Sequence, residues 1–390
     1  MPKSLKSWPS YTKEEIESVS RVLSSNNVNY LYGNQGKLFE REFSKFTNNK
    51  FSIAVSNGSV ALDISLKALN IGKGDEVIVS PRSYISSASS VINVDAKPIF
   101  CDVDSSSGNI TAETISSKIT SKTKAIICVH LAGWPCDMIS INKIAKQHKL
   151  YVIEDCAQAH GAKINNQSVG SFGTIGTWSF CQDKIISTGG EGGMITTNSK
   201  SLREKIWSIK DHGKSFDSFY NKNHPFGFRW HHEYLGSNFR ITEMQSAIGR
   251  VQLKKMKLWS KKRNDNAKSI INVLNKFPRI LSVYEPPLNM THAYYRLYAY
   301  LNLKNLPKSW NRNKIIKELN KLGVPCFSGS CPEIYLEKIF KNLNLNPKKR
   351  LKNAKLLGDS SICFLVHPTI IKEDMAYLLE KLDFTLSKVK

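Results

Sequence analysis

Apolar residues in the first half of the chain fall into short β-branched runs separated by stretches with helical spacing. Residues 51–56, 76–79, 98–103, 125–130 and 151–155 read as strands. Between them, residues 60–69, 85–94, 112–119 and 139–147 carry apolar side chains along one helical face. The alternation predicts βα units and an α/β fold with a mostly parallel central sheet flanked by helices. Two more strands follow at 178–180 and 194–197, and then a long helix over 242–274 with Met244, Ile248, Val251 and Leu253 among its apolar positions. Beyond Pro286 the rhythm changes to a strand at 293–301 and helices at 313–322 and 373–386, which predicts a smaller α+β C-terminal domain. Residues 1–250 are therefore expected to form a large domain with an N-terminal arm, and 251–390 a small one. At the start of the chain, Thr12-Lys-Glu-Glu15 is a capping box, which predicts a helix running to about Leu23.

Composition changes this picture little. A chain of 390 residues that is 41% hydrophobic can bury cores of this size. Charge is the unusual property: 56 basic residues against 32 acidic give a net +24, which raises nucleic acid, an anionic membrane or anionic small ligands as partners. The basic residues collect in helix-like segments, 254–263 and 348–355, which lack the interleaved aromatics of a single-strand binder. A solvated basic face is the reading, with no nucleic acid bound. The first ten residues are polar and basic, and the longest apolar runs are strand-sized, so a cytoplasmic protein with no membrane span is expected. The eight cysteines contain no CxxC pair and fit free thiols in a reducing compartment. Cys326 and Cys331 have only Glu333 and Tyr335 nearby as further ligands, so no metal site is expected.

Candidate chemistry gathers at the strand ends. Glu154-Asp155-Cys-Ala-Gln158-Ala-His160-Gly161 places acids and amides at the carboxyl edge of the fifth strand, where ligands of open α/β sheets bind. Downstream, Ser179-Phe-Cys-Gln-Asp-Lys184 runs into the glycine-rich Thr188-Gly-Gly-Glu-Gly-Gly193. A lysine held in such a turn suits a Schiff base. Pyridoxal chemistry needs that lysine, an acid to keep a ring nitrogen protonated, and a cradle for a phosphate. Lys184 and Asp155 fill the first two needs. Ser56-Asn-Gly58-Ser59, between a strand and a helix, can supply the third through free amides, the Ser59 hydroxyl and the helix dipole. Tyr84, past the second strand, can lay its ring on the cofactor. Each residue also has a plain structural reading: Asp155 as a helix cap, Ser179 as a strand hydroxyl, Tyr84 as core and Asn238 as a loop terminus. His130, His160 and His212 are expected to be satisfied structural histidines.

The order of the whole set resembles the DegT/StrS sugar aminotransferases, a family of fold-type I enzymes dependent on pyridoxal 5′-phosphate (PLP). The resemblance rests on SNGSVAL (56–62), GKGDEVIV (72–79), KPIFCDVD (97–104), TKAIICVHLAG (123–133), EDCAQAHGA (154–162), SFCQDK (179–184), GGEGGMITTN (189–198) and NFRITEMQSAIGRVQL (238–253). It implies that the large domain binds PLP, with Lys184 as the covalent anchor and catalytic base, Asp155 as the partner of the ring nitrogen, Gln158 beside the cofactor hydroxyl and Tyr84 stacked on the ring. It further implies that Gly58, Ser59 and Ser179 hold the phosphate, joined by Asn238 from a second subunit, which makes the protein a homodimer with shared active sites. The chain departs from the family at Cys181-Gln182-Asp183, where many members carry His-Pro-Thr, and Lys184 argues against the branch of 3-dehydratases, which have histidine there.

The implied function is transfer of an amino group from L-glutamate to a keto group of a nucleotide-linked deoxysugar, in aminosugar or surface polysaccharide biosynthesis. The +24 charge then favours a dianionic substrate. The loop at 29–36 and the segment at 327–335 are expected to line the sugar end. Two alternatives remain: a different PLP enzyme, such as a cysteine desulfurase with Cys331 as sulfur acceptor, and a non-catalytic basic regulator.

Overall fold

A computed structural model describes residues 5–389. In chain order the strands are β1 (Phe51–Val55), β2 (Glu76–Val79), β3 (Lys97–Phe100), β4 (Thr123–Val129), β5 (Tyr151–Asp155), β6 (Lys163–Ile164), β7 (Gln167–Ser168), β8 (Ile175–Ser179), β9 (Gly193–Thr197), β10 (Leu281–Ser282), β11 (Met290–Thr291), β12 (Leu297–Leu301), β13 (Cys326–Phe327) and β14 (Ser361–Phe364). The helices are α1 (Lys13–Ser24), α2 (Gln35–Thr47), α3 (Gly58–Ala68), α4 (Ser86–Asn93), α5 (Ala112–Ser116), α6 (Met138–Gln147), α7 (Lys200–Lys210), α8 (Phe216–Tyr220), α9 (Glu243–Leu274), α10 (Arg312–Lys321), α11 (Lys338–Asn342), α12 (Lys352–Ser360) and α13 (Lys372–Ser387).

Among the described residues the central sheet has seven strands in the order β1-β9-β8-β5-β4-β2-β3. Strands β8, β5, β4, β2 and β3 run parallel, and β9 is antiparallel to both its neighbours, β8 and β1. The expected mostly parallel sheet is present. Its strands are buried on both faces because successive side chains point to opposite sides. Val77 and Val79 join one core with α3, α4 and α7, while Ile78 joins another with α5 and α6. At the β8 end, the second face is covered instead by aromatic packing of Phe39 and Phe43 from α2 against Trp178 and Phe180.

The capping box at Thr12 forms as expected: the Thr12 amide donates to Glu15 Oε2 at 2.9 Å, and Lys255 of α9 donates to Glu15 Oε1 at 2.7 Å. Helix α9 is one unbroken 32-residue helix that crosses residue 250. From Ala267 onward it enters a separate core with β10, β12, β13, β14, α10 and α13, so packing changes hands part-way along α9. The predicted strand at 293–301 is shorter, with β12 beginning at Leu297. No helix among the described residues is long and apolar enough to cross a membrane.

Candidate active site

Where β1 ends, Ser56 and Asn57 turn the chain into α3. The Asn57 side chain caps that helix by accepting the Val60 amide at 2.9 Å. The other first-turn amides have no partner within the helix and carry the positive end of its dipole. Ser179, the last residue of β8, comes against this turn so closely that a Cβ at position 58 would lie 2.6 Å from the Ser179 Cβ. Glycine is therefore required at 58 for the two segments to meet. Gly58→Ala is expected to push Ser179 out of the turn at a stability cost of about 1–3 kcal/mol, which thermal unfolding checks.

The parallel register sets Val129, Asp155 and Thr177 side by side at the carboxyl ends of β4, β5 and β8. Alternation then sends the adjacent acids opposite ways. Glu154 turns into the protein and accepts the amides of Gly170 (2.8 Å), Phe172 (2.8 Å) and Gly173 (2.6 Å), and its Oε2 lies 3.1 Å from His130 Nε2. Glu154 lies near His130 and Cys156 in a group that could hold an ion, but its oxygens are committed to fastening this loop. Asp155 faces the cleft. It is buried, the Ser87 hydroxyl donates to Oδ2 at 2.8 Å, and the Ala157 amide donates to Oδ1 at 3.2 Å. Burial holds its pKa above the usual carboxylate value, and these hydrogen bonds, with the more distant Lys184 and His130, pull against that rise. No cation forms an ion pair with it among the described residues. A buried carboxylate held by donors and facing open space is a receptor for a positive group.

Lys184 sits in the turn after β8, its amide donating to the Cys181 carbonyl at 3.1 Å and its carbonyl accepting from Trp8 Nε1 at 2.8 Å. Gly189 and Gly190, at φ of 83° and 119°, then turn the chain back into β9, which is the need that the glycine-rich sequence announced. Lys184 Nζ lies 3.4 Å from Asp183 Oδ1 and 5.1 Å from the centre of the Tyr295 ring. Burial works to depress its pKa, but nearby negative charge outweighs burial and leaves the amine above its ordinary value. Tyr295 and then Asp183 supply the opposing pull; burial raises the Tyr295 phenol, so near pH 7 the full negative charge beside the amine is that of the Asp183 carboxylate.

A cleft of about 540 Å³ opens between these elements, lined by Gly58, Ser59, Tyr84, Asp155, Gln158, Ser179 and Lys184. A second cavity of about 350 Å³ shares Tyr84, Gln158, Asp183 and Lys184 with it and continues outward to Arg296, Phe327, Ser330 and Cys331. Residues 9–383 match the model of the DegT/DnrJ/EryC1/StrS aminotransferase family.

The chain belongs to that family.

It is 33% identical to a GDP-perosamine synthase of Escherichia coli O157:H7 over 375 residues, 96% of each chain. It is 36% identical over 296 residues to a UDP-N-acetyl-3-dehydro-alpha-D-glucosamine 3-aminotransferase of Acidithiobacillus ferrooxidans, 76% of each chain. Its fold superposes on an aminotransferase from Psychrobacter cryohalolentis with a TM-score of 0.97 at 52% identity, covering 99% of both chains. The protein is thus an aminotransferase of fold type I. PLP is the cofactor of the DegT/DnrJ/EryC1/StrS enzymes, and the donor set here fits it. A helix N-terminus with a serine on each side suits a phosphate, and a buried carboxylate without a cation suits a protonated ring nitrogen.

Seven of the eight residues singled out from the sequence line this one cleft. Gln158 spends its Oε1 on the Ala132 amide at 2.7 Å, leaving the Nε2 donor for the cleft. Tyr84 is 69% exposed, so it is not core. Asn238 is elsewhere: exposed, bridged to Asp211, and absent from the cleft lining of its own chain. The loop at 29–36 also lies off both cavities, its Gly36 amide donating to Glu243 at 2.9 Å. His130 is satisfied on both nitrogens, by Glu154 and by the Cys136 amide. His160 corrects the expectation of a satisfied histidine, for neither ring nitrogen has a hydrogen-bond partner. It packs against Trp178 and Phe180, and burial drives its pKa down to about 3, so the ring is a neutral filler. Cys331 lines the outer cavity, but burial raises its thiol pKa and leaves it protonated at neutral pH, a poor sulfur acceptor.

Tyr295 and Arg296 carry no motif that marks them as site residues. Both lie 112 or more residues from Asp183, yet the Tyr295 hydroxyl donates to Asp183 and Arg296 approaches it at 3.6 Å.

Proposed function

We propose that this aminotransferase moves an amino group from L-glutamate to a keto group of a nucleotide-linked deoxysugar, with Lys184 as the covalent anchor of PLP and as the proton carrier. The observation that carries the reading is the position of Lys184. It stands between an inner cleft with a phosphate cradle and a cation receptor, and an outer cavity reached by a half-buried arginine. Bound in the inner cleft, PLP supplies the electron sink and carries the amino group between the two substrates.

The chain's own residues do the rest. The amides and hydroxyls of Gly58, Ser59 and Ser179 hold the phosphate, and the Asp155 carboxylate keeps the ring nitrogen protonated. The Gln158 Nε2 donates to the cofactor hydroxyl, and the Tyr84 ring lies against the cofactor. Freed by the incoming amine, Lys184 Nζ would be placed to move a proton from the donor Cα to the cofactor's former aldehyde carbon in the first half-reaction, and from that carbon to the sugar carbon in the second. Arg296 in the outer cavity favours an anionic substrate.

A homodimer belongs to the same reading, with Asn238 of a second copy completing the phosphate site. It is supported by the segment before Asn238, where Phe226, Phe228, Trp230 and Leu235 are 79–109% exposed. Apolar surface of that kind calls for a covering partner.

The test is a panel of nucleotide-linked keto-sugars incubated with the PLP-loaded protein and L-glutamate. One aminosugar should form in a one-to-one ratio with 2-oxoglutarate. Glutamate turnover coupled only to free keto acids, with no nucleotide sugar aminated, would overturn the substrate class.

A further inference from the structure

The geometry points to Asp183 as a positioning residue for Lys184, one that fixes the lysine nitrogen at the cleft and stabilises positive charge on it whenever it is protonated. This rests on the assignment of Lys184 above. Asp183 stands in the Cys181-Gln182-Asp183 stretch, where the chain departs from the His-Pro-Thr of many family members.

Three donors converge on this one carboxylate from two elements. Lys184 Nζ reaches Oδ1 at 3.4 Å, while the Tyr295 hydroxyl and, at 3.6 Å, Arg296 reach Oδ2. The two oxygens thus divide the work. Tyr295 and Arg296, just before β12, hold the carboxylate in place, and its other oxygen faces the lysine. The Tyr295 ring also lies beneath the ammonium, where its negative face adds to the attraction. Asp183 is itself held below the usual carboxylate value, burial being outweighed by Lys184, Tyr295 and Arg296, so it is charged at neutral pH.

Of the other titratable groups, Tyr295 bears most on Lys184, and it acts together with Asp183, its hydroxyl donating to that carboxylate and its ring lying 5.1 Å from the ammonium. Asp155 is engaged with Ser87 and Ala157, and burial keeps Cys331 protonated. Cys181 interacts with Lys184, but its Sγ lies 3.9 Å from Glu191 Oε1 and makes no contact with the amine. His160 is neutral. Arg296 also lines the outer cavity, so the group that holds Asp183 faces the space an anionic substrate would enter.

Removing the anion lowers the lysine pKa, because an opposite charge at this distance favours the protonated form by about one pH unit. Two readouts apply to the full-length Asp183→Asn variant. In PLP-loaded protein, the pH midpoint of the visible absorption of the lysine–cofactor linkage should fall by about one unit. In protein stripped of PLP, reductive methylation of Lys184, followed by peptide mass spectrometry, should shift to lower pH by the same amount, about tenfold faster at a fixed pH below the midpoint. Asp183→Glu should restore most of the parent behaviour. Midpoints unchanged in both readouts would overturn the proposal. A parent protein that forms no linkage at Lys184 would instead overturn the cofactor assignment, while the methylation profile would still decide on Asp183.

Discussion

Lys184→Ala should lose amino transfer by at least about 10³-fold and lose the visible band of the lysine–cofactor linkage, while remaining folded. The size follows from the two tasks placed on one nitrogen. General acid–base catalysis alone contributes about 10²- to 10⁴-fold, and the covalent anchor is lost with it. Folding should change little, because the side chain makes one loose ion pair, with Asp183, and one cation–π contact, with Tyr295, whose loss together costs about 1–2 kcal/mol. Circular dichroism and thermal unfolding establish that the variant is folded, and steady-state assay reads the loss. A variant that kept more than a tenth of the parent activity would remove Lys184 from the chemistry.

Asp155→Asn carries the second large effect. Asparagine keeps the shape and can still accept from Ser87, so the change isolates the charge. A buried cation left without its partner costs about 3–5 kcal/mol, and each 1.36 kcal/mol is tenfold in rate, which sets the expected loss in kcat at about 10²- to 10⁴-fold. The linkage at Lys184 should still form, since the Asp155 carboxylate takes no part in making that bond. Activity within threefold of the parent would show that Asp155 plays no part in holding the ring charge.

How much of this was written in the chain depends on how local each signal is. The large-domain sheet could be read because each strand carries its own β-branched run and each covering helix its own apolar face. The inner cleft could be read because its parts sit at strand ends, in βα turns whose glycines, caps and acids are adjacent in sequence. Helix α2 was missed for a physical reason: Asn34 makes no side-chain cap bond, and the amides of Gln35 and Gly36 are capped by Glu243, over 200 residues away. The same holds for Asp183, whose neighbours in sequence say nothing of Tyr295 and Arg296. His160 resisted for the opposite reason, for its sequence context beside Asp155 suggested polar work, whereas the fold buries it among aromatic rings.

The placement of the loop at 29–36 shows where single-chain geometry ends. The family resemblance implies a place at the sugar end, but Glu243 fastens the loop beside α9, off both cavities that Lys184 lines. Asn238 is likewise absent from the lining of its own cleft. Both observations agree with a site completed by a second copy, as proposed above.

Reduction of the PLP-loaded protein with borohydride, followed by digestion and mass spectrometry, tests the central claim most directly. The account predicts bleaching of the visible band and a single pyridoxyl-phosphate adduct on the peptide containing Lys184. An adduct on another lysine, or none on a protein that binds PLP, would contradict it.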